Sequence, residues 1–187
     1  MPRFTQLEVA AVPVLATIDG GFYKFVLVLH ILCAIVGFGA VFLNGVYGAQ
    51  MKTRLQSGRV AEAIGIYEAN EVVSKIGQYF IYAVFLLGFA VLGLSDSVWK
   101  FSQTWVWLSI VIYILAIGLS HGVLMPAVKR MGVLMREMAA GPPPVGGPPP
   151  QAAEMASIGQ KLGVVGPILD LAMIAVLFLM VFKPGGP

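Results

Sequence analysis

The sequence predicts an all-α polytopic membrane protein: an antiparallel four-transmembrane-helix bundle with a Pro/Gly-rich cytoplasmic loop. Three observations predict it. First, the 187 residues are 58% hydrophobic and only 11% charged, whereas a soluble domain carries roughly 25% charge. Second, the chain holds four long apolar runs, each near the roughly 20 residues that a helix needs to cross a bilayer. Third, no alternating barrel pattern occurs, so each spanning segment must satisfy its own backbone hydrogen bonds as a helix.

The spans run from about 24–49, 72–94, 104–128 and 163–182, in one membrane domain covering residues 1–187. Before the first, Arg3 and Glu8 flank no signal-peptide pattern and Pro13 breaks the apolar stretch, so the leader reads as a short interfacial segment. Between spans one and two, Val60, Ile64 and Tyr67 recur at helical spacing, and Glu71 precedes Lys75 by four residues. That pattern predicts a short surface helix over 58–71. Spans two and three are joined by a short turn around Ser95–Gln103. After span three, Met131, Met135 and Met138 share a helical stripe. Methionines can bind Cu(I), but a stripe of them also makes adaptable packing surface, and packing is the expectation here. A flexible loop at about 139–151 follows, with half of the chain's 12 prolines in Gly141–Pro150. Polyproline II geometry makes this a semi-rigid spacer. Gln151–Leu162 then predicts a helix running into span four. No extramembrane domain is expected.

Charge sets the orientation. Lys52, Arg54, Arg59, Lys75, Lys129, Arg130, Arg136 and Lys161 lie with the two long connections, against Arg3, Lys24, Lys100 and Lys183 at the other end. Basic residues accumulate on the cytoplasmic side, which places both termini outside the cytoplasmic membrane. Trp99, Trp105 and Trp107, with Phe22 and Tyr23, then form an outer aromatic belt. The same distribution accounts for the basic pI without nucleic acid as a partner. Cys33 is the only cysteine, so no intrachain disulfide or thiolate cluster forms.

Polar residues inside spans are costly in hydrocarbon and default to functional candidates. On span one, His30, Gly37 and Asn44 return to nearly the same side every seven residues. With Cys33, Ala34, Ala40 and Gly48 they make a seam suited to close helix packing. Span two adds Gln78. Span three adds Gly118, His121 and Gly122 before an expected kink at Pro126. Span four adds Asp170, the only carboxylate inside a span. Depth separates the two histidines. His30 lies about 9 Å and His121 about 25 Å from the outer ends of their spans at 1.5 Å per residue, which disfavours one iron held by both. Asn44, Gln78, His121 and Asp170 share the cytoplasmic half and are expected to form one buried polar cluster, with Asp170 and His121 as neighbours.

His30 through Gly39, Ser120-His121-Gly122, Pro126, Lys129, Arg130 and the four-span layout resemble a bacterial integral-membrane family of unknown function. That family is similar to the copper-resistance-protein-D-like membrane proteins. His30 also matches the early histidine of the bacterial haem-containing protoporphyrinogen oxidases. The end of span one, Asn44 to Gln50, lacks the Pro-Arg and terminal histidine of that second family. The resemblance implies a four-helix membrane fold and assigns no activity.

Three functional readings remain. The leading one is a non-catalytic bundle or accessory subunit of the lipid bilayer, partnered by another membrane protein or by a second copy of itself. The second is a redox or metal protein using His30 as one axial ligand to haem b, with no other metal assigned. The third is a proton- or ion-coupled carrier using Asp170 and His121.

Overall fold

The computed structural model describes residues 18–141, 147 and 149–186. The leader, and most of the proline-rich loop at 142–146 and 148, lie outside the described residues. The described chain is all helix and turn: α1 (Gly21–Gln56), α2 (Val60–Gly93), α3 (Thr104–Leu119), a π-helical turn (Ser120–Leu124), α4 (Met125–Ala140) and α5 (Ala152–Phe182). Because α3, the π turn and α4 are continuous, four helices are long and apolar enough to cross a membrane.

The π turn marks where proline interrupts the third span. Pro126 has no N–H to donate to the carbonyl four residues before it. The chain relieves this by widening: the Met125 N–H reaches back five residues to the Ser120 carbonyl, the bond that defines a π turn.

α1 and α2 pack as an antiparallel pair in a fixed register. Each step of seven along α1 is answered by a step of seven back along α2. His30 meets Gly88, where an added Cβ would stand 3.3 Å from the imidazole. Gly37 meets Ile81, whose Cγ1 and backbone N lie 3.0 and 3.2 Å from the position of a Cβ. Ser74 donates a 2.8 Å hydrogen bond to Asn44 Oδ1. Between these, Gly77 lies against Ala40. The seam read from span one is therefore the face that packs on α2, and its small residues permit the close approach.

One end of the bundle is closed by aromatic side chains. Trp99 Nε1 donates to the Tyr23 hydroxyl at 3.0 Å, tying the α2–α3 turn to the start of α1. The Lys183 ammonium, just past α5, lies 3.9 Å from the centroid of the Trp99 ring, a cation–π contact. Trp105 packs edge-on against Trp99 at 5.5 Å. All four spanning segments thus meet in one belt.

The opposite end departs from the expectation of loops. α1 has 36 residues, α2 has 34 and α5 has 31, or roughly 46–54 Å at 1.5 Å per residue. The hydrocarbon core accounts for about 30 Å. Measured from the aromatic belt, the helices are long enough to extend past a core of that thickness at the long-connection end, and they continue to pack there. Ala63, Tyr67, Ala127, Leu134, Met135, Met155 and Ile158 form one buried cluster, with Leu134 1% and Met135 0% exposed. Met131 and Met138 pack against it, so the methionine stripe is packing surface. The segment expected as a separate surface helix over 58–71 is instead the first part of α2, continuous with the span. Its helical spacing placed Ala63 and Tyr67 inward. Arg54–Glu62, Arg136–Glu68 and Arg130–Glu154 pairs ring the cluster at 3.0, 3.6 and 2.7 Å. Exposed pairs of this kind add little stability individually; the apolar cluster supplies the holding force.

Candidate functional site

The polar side chains of the spans meet along one stripe of α2. Ser74, Gln78 and Tyr82 follow each other at intervals of four and so lie on neighbouring faces. Ser74 reaches α1 through Asn44, as described above. Gln78 and Tyr82 reach the π turn: the Tyr82 hydroxyl lies 2.6 Å and Gln78 Nε2 3.0 Å from His121 Nε2. Gln78 Nε2 also donates to the Tyr82 hydroxyl at 2.6 Å.

The second ring nitrogen fixes the direction of these bonds. His121 Nδ1 lies 3.0 Å from the Ile117 carbonyl, which can only accept. Nδ1 therefore carries the proton, and in the neutral ring Nε2 accepts. The Tyr82 O–H donates to Nε2 while its oxygen accepts from Gln78. One step outward, the Tyr113 hydroxyl donates to the Ile81 carbonyl at 3.0 Å, and its ring stacks on Phe85 at 4.5 Å. These contacts join α2 to the third span through side chains.

His30 is 7% exposed and lies against Gly88 on α2. Its Nδ1 has no hydrogen-bond partner among the described residues. Among the described residues, no group of three or more His, Cys, Asp or Glu is placed to hold a metal ion.

The family described as "Predicted integral membrane protein (DUF2269)" matches residues 24–184. The chain belongs to this family. The match runs from the start of α1 past the end of α5 and takes in every residue of the polar stripe. No curated protein and no solved structure matches the chain. Membership of the DUF2269 family establishes an integral membrane protein and indicates no activity.

Within this DUF2269 chain, the four polar residues singled out from sequence divide. Gln78 and His121 are brought together. Asn44 is bonded to Ser74 instead, one turn away along α2. Asp170 makes no hydrogen bond or ion pair among the described residues and is half-buried beside the inward face of α5, formed by Val165, Leu169, Met173 and Val176. No bond joins Asp170 to His121, whose two ring nitrogens are occupied by α2 and by Ile117. Depth along a helix does not fix rotation about its axis: His121 turns toward α2, and Asp170 stands beside the inward face of α5.

Ser74, Tyr82 and Tyr113 were not foreseen as partners. The spacing of Ser74 and Tyr82, four residues either side of Gln78, was the available signal.

Proposed function

We propose that this protein is a non-catalytic membrane bundle, an accessory component of the bilayer whose intramembrane polar groups lock helices to one another. The observation that carries the reading is the Gln78–Tyr82–His121 network, in which His121 is satisfied on both nitrogens by neighbouring protein groups. A group held in this way positions helices. Interhelical hydrogen bonds in membranes contribute on average about 0.6 kcal/mol each and at most about 2, enough to select one register. The likeness of span one and of Ser120-His121-Gly122 is to an integral-membrane family of unknown function, itself distantly similar to the copper-resistance-protein-D-like proteins, and it extends the reading to a shared architecture.

The orientation belongs to the same proposal: a multi-pass protein of the cytoplasmic membrane with the helical projection inside and both termini outside. It is supported by eight basic residues at the long-connection end against four at the aromatic end. With Cys33 replaced by alanine, a cysteine at Ser57 is expected to resist a membrane-impermeant thiol reagent applied from outside. A cysteine at Ser97 is expected to react with it. Outside labelling at position 57 would reverse the topology.

A second reading takes His30 as one axial ligand to haem b, and the unpartnered Nδ1 favours it. The visible spectrum of the purified protein separates the two. The leading reading expects a colourless protein whose thermal stability falls in His121→Leu. The haem reading expects a Soret band that His30→Leu removes.

A further inference from the structure

We propose that the cleft between α4 and α5 binds the phosphate headgroup of an anionic phospholipid from the leaflet at the long-connection end. The cleft has a volume of about 370 Å³ and straddles the π turn, α4 and α5. One part of its lining is apolar or small: Gly122, Val123, Pro126 and Ile158. The other part is charged: Arg130, Glu154 and Lys161.

Depth puts the site at the membrane boundary. Counted from the aromatic end at 1.5 Å per residue, Gly122 lies about 27 Å and Lys161 roughly 32 Å along their helices. Both values bracket the edge of a hydrocarbon core about 30 Å thick. Arg130 and Glu154 lie roughly 39 and 42 Å along, in the headgroup layer or just beyond.

The charges are unequally committed. Arg130 grips Glu154 with two bonds, Nε to Oε1 at 2.7 Å and Nη2 to Oε2 at 2.9 Å. Those bonds hold the Glu154 carboxyl below its ordinary pKa, so it stays ionised and neutralises the arginine. Lys161, two turns further along the same face of α5, has no ion-pair partner among the described residues. Glu137 also lies 3.7 Å from Arg130, so the arginine is countered by two carboxylates, and Lys161, at the bilayer-side end, is the cation of the cleft left to meet an anion. Gly122 leaves the wall there open, since an added Cβ would meet nothing within 4 Å. A phosphate beside Lys161, with an acyl chain descending past Val123 and Gly122, satisfies the charged and the bilayer-side parts of the lining. Basic pockets between helices at this depth are sites for anionic headgroups. The cleft meets a headgroup layer whichever side of the membrane the long connections occupy.

Titration of the detergent-solubilised 187-residue chain with phosphatidylglycerol or phosphatidylcholine, followed by thermal denaturation, tests this. Phosphatidylglycerol is expected to stabilise the protein at lower concentration than phosphatidylcholine. Lys161→Gln is expected to weaken that binding about fivefold, the worth of one basic residue near an anionic surface, and Lys161→Arg to retain it. Gly122→Leu, which fills the cleft without altering charge, is expected to abolish the preference. Lys52→Gln, an exposed lysine at the same end outside the cleft, is expected to change nothing. Equal weakening by Lys52→Gln and Lys161→Gln would replace the site with a diffuse field and overturn the proposal. So would an undiminished preference in a folded Gly122→Leu protein, or equal stabilisation by glycerol phosphate at matched concentration. Should Gly122→Leu fail to fold, the comparison of Lys161→Gln with Lys52→Gln decides.

Discussion

Replacing Gly77 with valine is expected to separate α1 from α2 and give the largest loss of stability among single substitutions inside the spans. A Cβ at position 77 would collide with the Ala40 methyl, and the Gly37 carbonyl and Ala40 Cα stand behind it at 3.6 and 3.8 Å. Alanine is a methyl on a helix backbone and has no rotamer with which to give way. Relief requires the helices themselves to move, and both ends of the pair resist that. His30 and Gly88 abut on one side, and the Asn44–Ser74 hydrogen bond sits on the other. Overpacking of this kind costs about 1–3 kcal/mol. Thermal denaturation in detergent measures it. Gly39→Ala is the control, since an added Cβ at Gly39 meets nothing within 4 Å. It is expected to be neutral or slightly stabilising, because alanine favours helix over glycine.

Leu134→Ala is expected to cost about 2–5 kcal/mol and to act through the projecting part of the bundle. Leu134 is 1% exposed within the cluster formed by Ala63, Tyr67, Met135, Met155 and Ile158. Truncating it leaves a cavity that the surrounding helices close only in part. In water, outside the bilayer, the lost burial counts in full, whereas a lipid-facing leucine such as Leu115, 67% exposed in the bundle, exchanges one apolar environment for another. Leu115→Ala is therefore expected to change stability far less, and Leu134→Met, which conserves volume, to cost under about 1.5 kcal/mol. Protease sensitivity of the projecting helices offers a second readout, rising in Leu134→Ala and not in Leu115→Ala.

The sequence was most legible where one strong physical constraint acted alone. Hydrocarbon demands about 20 apolar residues per helix, and that requirement was enough to find all four spans. The seven-residue recurrence of His30, Gly37 and Asn44 identified the α1 face that packs on α2, because small and polar residues have few other reasons to align in lipid. The run from Gln151 into span four emerged as the single helix α5 for the same reason of uninterrupted helical spacing.

Where two constraints met, the reading fell short. Val60–Glu71 and Lys129–Leu162 carry enough charge to read as connections. Their apolar residues, though few, lie at helical spacing on three different helices. Only the assembled bundle shows that Ala63, Leu134, Met135 and Met155 converge. The structure divides the polar cluster in a more local way. Asn44, Gln78, His121 and Asp170 were grouped by depth, but depth does not fix rotation about the helix axis. His121 meets Tyr82 and Gln78, and Asp170 stands apart.

The most direct test of helix-locking polar contacts is a double-mutant cycle at Gln78 and His121, each replaced by leucine alone and together, read as thermal stability in a defined bilayer or detergent. If the network holds α2 to the third span, each single substitution destabilises and the pair loses less than the two losses added. The expected coupling is about 0.6–2 kcal/mol. Additive losses, or a His121→Leu protein as stable as the parent, would contradict it.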